Sequence, residues 1–262
     1  MNPIVKRTVA ALVTAAVVVT ALLKLPFAAV KPALIALILL AQLEFAQMVA
    51  RKHPILVWQG IAAGAAFLCS KFYGYDGCFA LLFFALALAT LFGKTDRPTV
   101  ALGTTVLGFV YLPMTLQYLI VIPQHYGMTA LLYVIALVKV SDMGGFAFGK
   151  AFGRHKLCPS ISPNKSWEGL AGSLFASSLV SCLFRPVTHL AFPQAILFGV
   201  LAAAVGTLGD LVESRFKREC GVKDSATFMP AGMGGFLDMF DSLVFAPAMM
   251  YPLLRLATWG AD

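Results

Sequence analysis

The chain has 262 residues, of which 60% are apolar and only 12% charged, with a formal net charge of +8 and a mean hydropathy of +0.84. A soluble domain carries roughly a quarter charged residues, so this composition excludes an ordinary water-soluble fold and points to lipid as the solvent. The Lys and Arg residues stand in short clusters between apolar runs, which argues for membrane orientation and against nucleic acid as a partner. Five scattered cysteines (Cys69, Cys78, Cys158, Cys182 and Cys220) show no C-x-x-C and no His at zinc-ligand spacing, so neither a disulfide framework nor a zinc site is expected.

In chain order, apolar runs fall at residues 8–23, 29–50, 54–70, 77–93, 98–122, 127–146, 169–184, 190–212 and 235–257. At about 20 apolar residues per crossing, they predict an all-α polytopic bundle of about nine transmembrane helices. The first run follows Lys6 and Arg7 and is read as an uncleaved helix, because further spans follow it closely. We divide the chain into an N-terminal transmembrane region, residues 1–125, and a C-terminal transmembrane region, residues 126–262, with polar loops at 147–168 and 213–234.

With nine spans and a cytoplasmic N-terminus, fourteen Lys and Arg residues fall on one side and five on the other, with Lys139 inside a span. That bias puts both polar loops in the cytoplasm. The expected location is a bacterial-type inner (plasma) membrane, crossed many times, with the polar loops facing the cytoplasm.

The acids are unevenly spread. Eight of the twelve lie at or near the two polar loops: Asp142, Glu168, Asp210, Glu213, Glu219, Asp224, Asp238 and Asp241. Acids at span ends are costly unless paired or bound to metal, so they are functional candidates. Asp210, Ser214 and Lys217 fall at i, i+4 and i+7, on one helix face, while Glu213 and Lys217 suit a simple helix ion pair. Gly234 and Gly235 allow close backbone approach to a ligand. Asp238 and Asp241 then follow at i, i+3 and are expected to share one face of the last helix. Together with Asp210 they form a candidate oxygen site for Mg²⁺. Arg218, Lys223, Asp224 and Ser225 make a charged loop suited to a nucleotide polyphosphate, while Arg215 and Arg218 equally suit anionic lipid headgroups. Lys165 is a candidate phosphate ligand, Trp167 an interfacial anchor, Glu168 a helix-start residue and His155 a surface residue. Glu44 is read as a buried structural acid without an identified partner.

Three ordered motifs over about 100 residues resemble the phosphatidate cytidylyltransferase (CDP-diacylglycerol synthase) family. They are Ser141-Asp142-Met-Gly144, then Ile161-Ser-Pro-Asn-Lys-Ser-Trp-Glu-Gly169, then a signature running from Ser214, Lys217 and Arg218 through Lys223, Asp224 and Pro230 to Gly234, Gly235, Asp238 and Asp241. The resemblance covers residues 130–250 well; the first 130 match only as a hydrophobic helical region. Two positions depart from the family pattern: Met233 stands where it has His, and Met239 where it has Arg.

The resemblance implies a membrane enzyme that transfers a cytidylyl group from CTP to phosphatidate, giving CDP-diacylglycerol and pyrophosphate, and that forms a homodimer. It implies Asp210, Lys217, Asp238 and Asp241 as catalytic residues. Asp210, Asp238 and Asp241 would hold Mg²⁺, while Ser214, Lys223, Asp224, Lys165, Ser141, Asp142, Gly234 and Gly235 would bind substrate. The rival readings are a catalytically silent paralogue and a transporter using the same acids. A transporter predicts two related halves with paired broken spans, and the sequence shows no such duplication.

Overall fold

The computed structural model describes residues 20, 23–73, 84–89, 95–225 and 235–257, with side chains only to residue 70 in the second stretch. The described chain is helical apart from one hairpin. Its elements are α1 (Phe27–Val49), α2 (Val57–Tyr73), α3 (Pro98–Phe109), a π-helical turn (Val110–Met114) and α4 (Tyr118–Phe152). Strands β1 (Lys156–Cys158) and β2 (Ser162–Ser166) pair antiparallel. Then come α5 (Trp167–Leu183), α6 (Arg185–Thr188), α7 (Phe192–Glu219), α8 (Phe236–Phe240) and α9 (Ala246–Leu256).

Among the described residues, three helical stretches are long and apolar enough to cross a membrane: Phe27–Val49, Pro98–Phe152 and Phe192–Glu219. The run at 8–23 and most of that at 77–93 lie outside the described residues. The middle stretch has 55 residues. Straight, it would be about 80 Å long, against a hydrocarbon core of about 30 Å. It is interrupted twice: by the π-helical turn containing Pro113 and at Gly127, where φ 77° and ψ 170° leave the helical region. Gly127 separates the two runs read from sequence at 98–122 and 127–146.

Two departures from the sequence reading concern the polar loops and the last run. Residues 147–152 still belong to α4 and residues 213–219 to α7, so both loops begin later than expected. The run at 235–257 is not one helix but α8, a turn and α9. Pro247 sits in the first turn of α9; its missing N–H and fixed φ suit a helix start and prevent α8 from running straight on.

Close backbone approach builds the helix pairs that carry the site. A Cβ at Gly144 of α4 would lie 2.5 Å from Ala176 Cβ and 2.7 Å from Gly172 O, both in α5. Small residues let helices meet this way in lipid, where apolar burial alone gives little drive to associate. Ser166 caps α5, its hydroxyl accepting the Gly169 N–H at 3.1 Å. At the end of α7, Gly221 (φ 72°) donates to Arg218 O and Val222 to Lys217 O, a Schellman arrangement that stops the helix just beyond Lys217. Phe45, Tyr111, Phe216 and Phe245 join α1, the π-helical turn, α7 and the start of α9, with ring centroids 5.3–5.7 Å apart.

Candidate active site

The last turns of α7 present Asp210, Ser214 and Lys217 along one face, as the 3.6-residue period requires. Ser214 Oγ donates to Asp210 Oδ1 at 3.3 Å. Lys217 Nζ lies 2.8 Å from Glu213 Oε1 and 2.6 Å from Asp238 Oδ1. Glu213 is fully buried, so the helix ion pair read from sequence is present but set inside the bundle. Asp238 turns its second oxygen to the Gly235 N–H at 2.6 Å.

The hairpin supplies the next cation. Lys165 of β2 reaches over to α7, its Nζ lying 2.7 Å from Asp210 Oδ2 and 3.2 Å from Thr207 O. Arg218 Nε donates to Ile161 O at 3.4 Å, so the two polar segments meet at one end of the bundle. The turn after α1 joins them there through His53 Nε2, 3.2 Å from Glu219 Oε1.

A third group comes from α4 and the turn after α8. Ser242 Oγ donates to Asp142 Oδ2 at 2.8 Å. Lys139 Nζ donates to Ser242 Oγ at 3.1 Å and Met239 O at 3.3 Å, and stands 3.8 Å from Asp142 Oδ2. Asp241 accepts the Ser242 N–H and lies within electrostatic range of Lys139, Asp210 and Asp142. Asp238 and Asp241 therefore do not act as one pair: the first faces Lys217, the second faces α4. Gly209 makes room for this turn, since a Cβ there would lie 2.5 Å from Asp241 O.

Other sequence candidates are placed as follows. Ser141 is buried and bonds to Val138 O within its own helix. Lys223 and Asp224 are exposed beyond the end of α7. Gly235 is the residue before α8, whereas Gly234 and Met233 lie outside the described residues. Met239 is exposed, and the Lys139 ammonium stands at its carbonyl. His155 is exposed as expected but is paired, its Nδ1 2.6 Å from Glu168 Oε1. That hydrogen bond, with the backbone N–H groups of Arg154 and His155, pulls the Glu168 carboxyl down to about 2. Lys139 and Glu44 are the two residues whose part sequence reasoning missed; an ionisable group in mid-span was the available signal for both.

Asp142, Asp210, Glu213, Asp238 and Asp241 carry two more formal charges than Lys139, Lys165 and Lys217 offset. Their donors are all oxygen, a set suited to a hard divalent cation such as Mg²⁺. Among the described residues, no three His, Cys, Asp or Glu side chains already converge as a metal-ligand group; Asp210 and Asp238 are instead held by lysines.

Comparison with known proteins follows the same residues. The cytidylyltransferase family model matches residues 5–257. Over 158 residues the chain is 39% identical to the phosphatidate cytidylyltransferase of Bacillus subtilis (strain 168), covering 59% of this chain and 58% of that protein. It is 45% identical over 130 residues to the phosphatidate cytidylyltransferase of Staphylococcus aureus (strain COL), covering 49% of this chain and 50% of the relative. It is 43% identical over 135 residues to that of Haemophilus influenzae, covering 47% and 44%. The chain thus spans about half the length of the relatives it matches. These names do not favour a transporter. With nearly its whole length matched, residues 5–257, the chain belongs to the cytidylyltransferase family.

Proposed function

We propose that this protein is a phosphatidate cytidylyltransferase of the cytoplasmic membrane. The phosphatidate phosphate attacks the α-phosphorus of CTP, a new phosphorus–oxygen bond forms, the α–β bond breaks, and pyrophosphate leaves. The observation that carries the reading is the pairing of Lys165 with Asp210 and of Lys217 with Asp238, which brings Lys165 of the second motif and the Lys217–Asp238 pair of the signature onto α7 in one acidic, lysine-bearing cluster.

Transfer at phosphorus needs positioning and charge neutralisation more than covalent catalysis. Lys165, Lys217 and Lys223 would hold phosphate oxygens, with Ser214 donating from the same α7 face. The phosphatidate phosphate is already anionic at neutral pH, so no protein general base is needed. Asp210, Asp238 and Asp241 would hold Mg²⁺. Bound there, the ion supplies charge neutralisation at the CTP phosphates. Acyl chains enter between helices, and the headgroup stays at the cytoplasmic face, the side favoured by the Lys and Arg count. Nine spans and a homodimer complete the proposal.

The test is label transfer by the detergent-purified protein. Label at the α-phosphorus of CTP should enter lipid, while γ-label should appear in pyrophosphate, one per lipid formed. Absence of lipid product from folded protein across phosphatidates and divalent metals would contradict the proposal.

A further inference from the structure

Asp238 sits on a helix poorly equipped to hold its own start. The first four N–H groups of any helix lack partners inside it, and α8 has only five residues. Its N-cap is Gly235, which has no side-chain oxygen to accept one of those groups. Asp238 bonds back to the Gly235 N–H, which serves the cap residue but not the N–H groups of the first turn.

The Leu237 N–H is satisfied from far away. It donates to Glu44 Oε2 at 2.9 Å, across 193 residues of sequence. Glu44 belongs to α1 and has no exposed surface, and its Oε1 has no hydrogen-bond partner among the described residues. A carboxylate at this depth costs free energy unless it is engaged, and simple packing would not require one. The residues beside this bond make matching contacts. Glu44 meets Leu237, Phe45 packs edge-on against Phe216 at 5.7 Å, and Lys217 binds Asp238. Neighbouring residues on α1, α7 and α8 thus fix the three helices in register.

We propose that Glu44 is a positioning residue for the active site: by accepting the Leu237 N–H it supplies from α1 the cap that Gly235 lacks, and so sets where Asp238 meets Lys217. The proposal rests on the cytidylyltransferase reading for the site it positions.

Hydrogen exchange and steady-state kinetics on detergent-purified wild type, Glu44→Gln, Glu44→Asp and Glu44→Ala test it. Glu44→Ala should speed exchange in residues 236–240 by about tenfold, the effect of losing one hydrogen bond. Exchange in α5 should be unchanged, and kcat should fall by a similar factor while KM for CTP stays within about threefold. Glu44→Gln, which keeps an acceptor oxygen, should remain near wild type in both readouts. Glu44→Asp, with its shorter reach, should give an intermediate rise, and it decides the matter where Glu44→Ala does not fold. Unchanged exchange in residues 236–240, a uniform rise across all helices, or a Glu44→Gln loss equal to that of Glu44→Ala would overturn the proposal. An inactive wild type would strike instead at the cytidylyltransferase reading, and exchange would still judge Glu44.

Discussion

Two lysines hold two aspartates at this site, and they do so from different kinds of structure. Lys217 projects from α7, is 11% exposed and touches both Glu213 and Asp238, itself 18% exposed. Lys165 projects from the hairpin, is 22% exposed, and meets Asp210, which is 32% exposed. The helix-borne pair is locked on both sides by packed elements. The hairpin-borne pair is wetter and depends on a two-stranded loop seated by Arg218 and Glu168. In the proposed reaction Lys217 would belong to the fixed frame of the site, and Lys165 would be the cation that leaves Asp210 when a phosphate arrives.

The sharpest way to break this comparison is Lys217→Met. Removing one partner of a buried pair leaves an uncompensated charge and costs about 3–5 kcal/mol. We expect lower thermal stability in detergent together with a loss of lipid product of about a thousandfold or more. Lys165→Ala should separate the two roles. A partly exposed ion pair contributes about 1 kcal/mol or less, so the melting temperature should hardly move. The rate should still fall by about a hundredfold, mainly in KM for CTP, because a phosphate ligand is lost. Equal loss of stability in both variants would erase the distinction.

Gly209→Ala probes the frame without touching a charge. Its new Cβ would press on Asp241 O, and overpacking of this kind costs about 1–3 kcal/mol. Calorimetry should show that cost, with activity reduced through the displaced Asp241 and restored little by excess CTP.

The smallest effect concerns the hairpin and acid. Glu168 has its carboxyl lowered from 4.5 to about 2, chiefly by the His155 hydrogen bond. A depressed folded value stabilises above the unfolded one and is lost as pH falls through the folded one. The tie should therefore hold above pH 4.5 and fail as pH approaches 2. Trp167 fluorescence in a Trp58→Phe, Trp259→Phe background should report the change, and Glu168→Gln should abolish the transition.

The sequence made the helical runs and the α7 face readable because both follow from short-range periodicity. Asp210, Ser214 and Lys217 share a face for reasons that need only the helix repeat. The break at Gly127 and the turn before α9 were harder to see, because apolar composition continues through both. Lys139 and Glu44 were conspicuous as charges, yet the groups they hydrogen-bond lie 100 or more residues away; only Asp142, at i+3 from Lys139, was within local reach. The same limit applies to Asp238 and Asp241. Their spacing suggests a pair, but Lys217 and Gly235 draw one carboxylate aside while the next turn directs the other toward α4.

In the proposed reaction this lysine and aspartate cluster transfers cytidylyl groups. The most direct measurement is the Mg²⁺-dependent rate of CDP-diacylglycerol formation from α-labelled CTP and phosphatidate, for purified wild type and Asp238→Ala side by side. Lipid product is expected from wild type, none without divalent metal, and a loss of about a thousandfold or more in a folded Asp238→Ala protein. Equal rates for the two proteins would contradict the assignment of the site, and no product from either would contradict the activity itself.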